Sequence, residues 1–155
     1  MLRLKYWHWI LLSVFVVILD QSSKWVASTY LQYHIPVEVT PFFNWYLDFN
    51  HGAAWNFLSN ETGWQRWVLA GFSTLVSILI LFWLRDSENK KNTSCAGLAL
   101  ILGGAVGNLV DRIYPGVVTD FIQWHLSTYY WPTFNIADSA VCVGAVLYIW
   151  GMRND

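Results

Sequence analysis

Asp120 and Asp138 are the residues of this chain whose type and setting best suit chemistry. Asp120 lies in Val117-Val118-Thr119-Asp120-Phe121, just beyond a glycine-dense apolar segment that ends in polar groups: Gly103-Gly104-Ala105-Val106-Gly107-Asn108-Leu109-Val110-Asp111-Arg112. Asp138 falls one turn inside the start of the last apolar segment, Phe134-Asn135-Ile136-Ala137-Asp138-Ser139. Charge near membrane depth is costly, so such acids should face one another or water and are candidates for function. Taken alone, Asp120 would read as a solvated loop acid; Asp138, inside an apolar helix, is harder to explain that way. The expectation is that the two converge as a catalytic pair. Two carboxylates sharing a site cannot both ionise cheaply, so the pair retains one proton. The ionised member can take a proton from water while the neutral one donates to a peptide carbonyl oxygen. That is amide hydrolysis without a covalent intermediate.

The neighbouring polar residues fall at spacings that can serve such a pair. Asn135 and Asp138 are i and i+3, on one helix face, which suits an Asn that orients the carboxylate. Asn108 and Arg112 are i and i+4 and can share the face toward Asp120, whereas Asp111 and Arg112 are adjacent and point apart. Arg112 can neutralise acids or bind a substrate carbonyl or lipid phosphate. Asn108 and Asn135 also have a plainer reading as helix caps. Asp20 and Lys24, again i and i+4, either cap a helix end as an ion pair or brace the site from the bundle interior. Asn50-His51-Gly52-Ala53-Ala54-Trp55 is a turn of small residues, where Gly52 permits close approach of a backbone or ligand.

These residues sit in a chain built for a bilayer. Of 155 residues, 55% are hydrophobic and 12% charged, against about 25% charged in a soluble domain. The mean hydropathy is +0.36, and the apolar residues come in long blocks. The fold class is therefore an all-α membrane bundle in one domain, with spans expected at 6–25, 64–84, 95–112 and 135–151. Between them, Ser28 to Gly63 alternates in part (Val37, Val39; Phe43, Trp45, Leu47, Phe49), as does Val117 to Ile122, which reads as short strands. A short helix or turn is expected before Gly63, and Tyr129, Tyr130 and Trp131 suggest an interface. Gly103-x-x-x-Gly107 permits close helix contact. Tyr6 to Leu19 has the look of a cleaved signal segment, but no small-x-small cleavage site follows, and Trp7, Trp9, Trp25 and Tyr30 read as anchors of a retained span.

Six of the nine basic residues (Arg3, Lys5, Arg85, Lys90, Lys91 and Arg153) fall in the tails and the middle loop. The positive-inside rule then makes both termini cytoplasmic and places the polar clusters at the outer membrane face. The net charge of −1 and the lack of a basic stripe argue against nucleic acid. Cys95 and Cys142 read as small helix-packing residues. Neither CxxC nor HExxH occurs, so no metal or cofactor is expected. The four histidines, His8, His34, His51 and His125, show no pairing that would activate a serine.

At these residues the chain resembles the lipoprotein signal peptidases of bacteria, the type II signal peptidase family. Five motifs carry the resemblance in order: Asp20-Gln21-Ser22-Ser23-Lys24, Asn50-His51-Gly52-Ala53-Ala54-Trp55, Gly103 to Arg112, Val118-Thr119-Asp120-Phe121 and Phe134 to Asp138. Trp55 stands where the family more often has Phe. The resemblance implies an aspartic endopeptidase of the inner membrane that cuts prolipoproteins before a diacylglyceryl-modified cysteine. It assigns catalysis to Asp120 and Asp138, places Asn108, Arg112 and Asn135 around them, and marks Asp20, Lys24 and Asn50 as further motif residues. It also implies an extracytoplasmic sheet that cradles the substrate. The partners expected are diacylglyceryl-prolipoproteins and membrane lipid, with the enzyme acting as a monomer. Two other classes compete. A transporter would place charge or broken helices near the midplane, and a scaffold would need only packing motifs and anchors.

Overall fold

The computed structural model describes residues 4–52 and 63–153. Arg3, the Ala53-Ala54-Trp55 end of the second motif and the turn expected before Gly63 fall outside the described residues. Four apolar helices carry the architecture: α1 (Tyr6–Tyr30), α2 (Trp64–Arg85), α3 (Asn92–Ile113) and α4 (Ile136–Arg153). All four are long and apolar enough to cross a membrane. The strands are β1 (Val37–Thr40), β2 (Phe43–Asn50), β3 (Val118–Leu126) and β4 (Tyr129–Tyr130), in the order β1-β2-β3-β4.

Helix ends follow local chemistry. The first helix runs five residues past the expected boundary at 25, because Val26 to Tyr30 contains no breaker; it stops where the Leu31 N–H bonds back to the Ala27 carbonyl at 2.9 Å. Helix α3 ends before Pro115, which cannot donate to a continuing helix, and Gly116 at φ +104° turns the chain into β3. Tyr129 and Tyr130, read as interfacial residues, form the short strand β4 against His125 and Leu126.

Helix α3 is the central element: 56% of its apolar stretch is buried, against 17–28% in the others. In lipid there is little hydrophobic gain from packing helix on helix, so contact depends on close approach and van der Waals fit. Glycines supply that approach. An added Cβ at Gly103 would lie 2.6 Å from Val16 Cβ, and one at Gly107 2.6 Å from Asp20 Oδ2, both on α1; Gly104 lies against the Ala137 carbonyl of α4. At one end of the bundle Trp9, Ile80, Leu84, Cys95, Leu98, Ala99 and Leu102 form a core. Ala27, Leu47 and Phe121 join α1 to the sheet at the other. Cys95 is buried as expected, but Cys142 is exposed on α4 and does not pack between helices.

The sheet register sets the site. Strands β2 and β3 pair antiparallel, with Trp45 opposite Ile122 and then Asp48 opposite Asp120. The extra residue on β2 between these pairs is a bulge, which resets which side chains share a face. It leaves Asp48 and Asp120 as direct cross-strand neighbours.

Candidate active site

Asp120 is carried on β3 at 2% exposure. The Asn135 Nδ2 donates to its Oδ1 at 2.7 Å and the Asn50 Nδ2 to its Oδ2 at 3.2 Å. Burial, followed by the charge of Asp138, pushes its carboxyl up to about 8, against the smaller opposing effects of Asn50, Lys24 and Asn135. Near neutral pH Asp120 therefore holds a proton.

Asp138 arrives from α4. Asn135 is the N-cap of that helix and Asp138 its third residue. The Asp138 N–H donates to Asn135 Oδ1 at 2.9 Å, and the Asn135 N–H returns to Asp138 Oδ2 at 3.2 Å. This reciprocal capping satisfies two backbone donors and places a carboxylate at the positive end of the helix dipole. The Asn108 Nδ2 donates to Asp138 Oδ1 at 2.8 Å. Asn135 thus has both readings at once, cap and carboxylate partner. Asn108 is not a cap, because α3 continues past it to Ile113.

Three amides aim their NH2 groups at the two acids, and each is oriented by a donor at its own oxygen. Asn108 Oδ1 accepts from Lys24 Nζ at 3.0 Å, and an ammonium can only donate. Asn135 Oδ1 accepts from the Asp138 N–H. Asn50 Oδ1 accepts from the Gly52 N–H at 2.9 Å. Flipping any one amide would set donor against donor.

Behind these amides lies a buried charge cluster. Lys24 Nζ is 2.7 Å from Asp20 Oδ2 and 2.9 Å from Asp111 Oδ2, with Asp20 and Lys24 at 0% and 4% exposure. Asp20 Oδ1 accepts from the Ala137 N–H at 2.9 Å, and Asp111 Oδ2 from the Thr119 N–H at 3.2 Å. One ammonium therefore ties α1 to α3, and its two carboxylates reach the backbone of α4 and β3. The Asp20–Lys24 pair faces the bundle interior and does not cap a helix end. Arg112 donates to the Asn108 carbonyl at 3.2 Å and lies within electrostatic reach of Asp138, Asp111 and Asp120.

Gln21 was missed by sequence reasoning. Its Nε2 reaches Asp20 Oδ2 at 3.2 Å, the Gly107 carbonyl at 3.1 Å and Asp111 Oδ1 at 2.9 Å. Its i, i+3 spacing to Lys24 was the available signal. A second missed group is Asp48, which accepts from His34 Nε2 at 3.0 Å and Thr133 Oγ1 at 3.3 Å. Among the described residues no group of three or more His, Cys, Asp or Glu could hold a metal ion.

Asp120, Asp138, Asn50, Gly52, Asn108, Asp111, Arg112, Asn135, Asp20 and Lys24 thus gather where α3 ends and α4 begins, against the C-terminal half of α1. Four membrane-capable helices with a small sheet and a paired-carboxylate centre define a membrane enzyme. The overall shape agrees in class: two solved structures described as bacterial membrane enzymes superpose with TM-scores of 0.85 and 0.81. Each is 31% identical and covers 100% of this chain, which spans 94% and 99% of theirs.

The family follows from the sequence matches. Residues 12–153 match the family model for signal peptidase (SPase) II. The chain is 49% identical to a lipoprotein signal peptidase of Polynucleobacter necessarius (93% of this chain, 88% of that one). It is 50% identical to one of Acinetobacter baumannii (91% and 80%) and 46% to one of Coxiella burnetii (94% and 89%). The chain belongs to the signal peptidase II family, a family of membrane proteases.

Proposed function

We propose that this enzyme hydrolyses the peptide bond preceding a diacylglyceryl-modified cysteine in prolipoproteins, with Asp120 and Asp138 as its catalytic pair. The observation that carries the reading is Asn135, which donates to Asp120 Oδ1 through its side chain and to Asp138 Oδ2 through its backbone. One residue therefore holds both acids in register.

The environments divide the labour. Asp120, buried and protonated near neutral pH, donates to the scissile carbonyl oxygen. Asp138, at a helix N-terminus and facing the Asn108 amide, takes a proton from the attacking water. The water oxygen bonds to the carbonyl carbon. Asp138 then passes its proton to the departing nitrogen as the C–N bond breaks, and Asp120 recovers its own. Acid–base assistance of this kind contributes about 10²- to 10⁴-fold each way.

The single integral domain works as a monomer with both termini and the Lys90-Lys91 loop in the cytoplasm, which the distribution of basic residues supports. The site then opens at the outer face of the inner membrane. A lipidated cysteine keeps its acyl chains in that leaflet, so its peptide bond meets the site without extraction of the lipid. The test is cleavage of matched prolipoprotein peptides with and without the diacylglyceryl group. Turnover confined to the modified peptide is expected, and equal cleavage of both would remove the lipid from the reading.

A further inference from the structure

A cleft of about 300 Å³ opens on the sheet beside Asp120, walled by Tyr46, Asp48, Asn50, Tyr130, Trp131 and Thr133 among others. It adjoins the site directly, since Asn50 lines it and also donates to Asp120. Its acid is Asp48, the cross-strand partner of Asp120, with a side chain 23% exposed. Asp48 Oδ1 accepts from His34 and from the Phe49 N–H, whereas Oδ2 accepts from Thr133, itself a wall of the cleft. A carboxylate has about four acceptor positions, so Oδ2 retains room for a further donor.

No Lys or Arg occurs from Trp25 to Gln65, nor from Ile113 to Met152. Arg66 packs at Gly116 and Arg112 at Asn108, away from Asp48. Among the described residues the ion-pair partner of Asp48 is His34, and the cleft is also walled by the aromatic side chains Tyr46, Tyr130 and Trp131, residue types that attract a cation.

We infer that this cleft is a specificity subsite for a basic side chain of the substrate, with Asp48 as its counter-ion. The inference rests on the function proposed above. Residues before the scissile bond belong to an apolar signal segment that enters the bilayer, so the polar cleft serves those that follow the cysteine.

The experiment uses the full chain in lipid nanodiscs and diacylglyceryl-modified peptides that differ only in Lys, Gln or Glu at the second, third or fourth residue after cysteine. At one of these positions the Lys:Glu ratio of kcat/KM should be about fivefold, the size expected of a partly exposed charge pair. It should shrink as salt is added. Asp48→Asn should bring the ratio close to unity. His34→Gln, which keeps a donor but can carry no charge, should preserve it. Each ratio is taken within one variant, so a general loss of activity cancels, and the salt series needs no variant. A wild-type ratio near unity at all three positions, or one that salt and Asp48→Asn leave unchanged, overturns the subsite while the Gln peptide is still cut. If no peptide is cut at all, the proposed function falls and the subsite with it.

Discussion

Asn135 and Asp138 exchange hydrogen bonds in both directions, side chain to backbone, across the first turn of α4. The same Asn135 amide lies 2.7 Å from Asp120, so the residue that starts the helix also spaces the two acids. Asn135→Ala removes the cap and is expected to cost about 1 kcal/mol or more of stability. Asn135→Ser keeps a capping oxygen but carries no amide to donate to Asp120. It should melt above Asn135→Ala, yet cleave at least about 100-fold more slowly than wild type. Thermal unfolding and peptide cleavage on the two variants separate the roles; full activity in Asn135→Ser would show that the amide donor is dispensable.

The carboxyl of Asp120, raised from 3.8 to about 8 by burial and by Asp138, makes the enzyme sensitive to base. In the proposed mechanism Asp120 must be protonated, so kcat/KM should fall as pH rises through about 8. Stability follows the same proton. Between pH 3.8 and about 8 the folded state holds a proton that the unfolded chain releases. This contribution is therefore greatest at the acid end, declines as pH rises across the window, and levels off above it. A pH–rate profile with no basic limb near 8 would contradict the assignment.

Lys24 is the only partner that neutralises Asp20 and Asp111 by direct contact among the described residues, at 2.7 and 2.9 Å. Lys24→Met leaves two buried carboxylates without their shared ammonium and leaves Asn108 Oδ1 with Asn135 Nδ2 as its donor. The expected loss is about 3–5 kcal/mol, the usual cost of breaking a buried pair from one side. Replacing the acids as well, in Asp20→Asn/Lys24→Met/Asp111→Asn, should restore much of that loss without restoring activity. Unfolding in detergent measures the first effect; equal stability of wild type and Lys24→Met would show the cluster to be solvated.

Gly107 tests how tightly α3 seats on α1. An added Cβ would lie 2.6 Å from Asp20 Oδ2, and that carboxylate cannot withdraw while Lys24 and the Ala137 N–H hold it. Gly107→Ala should therefore destabilise, despite the gain of about 1 kcal/mol that Ala offers in a helix interior. Gly71→Ala on α2, where nothing lies within 4 Å of the new atom, should be neutral or slightly stabilising. Paired melting curves that reverse this order would refute the close packing.

Much of this was legible because polar residues are conspicuous in so apolar a chain. Four long apolar blocks and two alternating stretches predict the helices and strands, and the i, i+4 spacing of Asp20 and Lys24 shows that they share a face. What the spacing leaves open is which groups meet across elements. The partnership of Lys24 with Asn108 and Asp111 depends on α3 seating its glycines against α1. The position of Asp48 beside Asp120 depends on a bulge that simple alternation does not reveal. Gln21 escaped notice because an uncharged amide beside an Asp and a Lys looks like filler until three acceptors converge on it. Asn108 has a cap reading from residue type alone, because Asn is a common capping residue; only the continuation of α3 to Ile113 removes it.

In the proposed mechanism Asp120 and Asp138 act together on a peptide bond. Their joint action is tested most directly by cleavage of a diacylglyceryl-modified prolipoprotein peptide by wild type, Asp120→Asn and Asp138→Asn in lipid. Both replacements are nearly isosteric and remove only the acid function. Wild-type turnover, with each folded variant slower by about 10³-fold or more, is the predicted result. Near wild-type cleavage by either variant would contradict the pair.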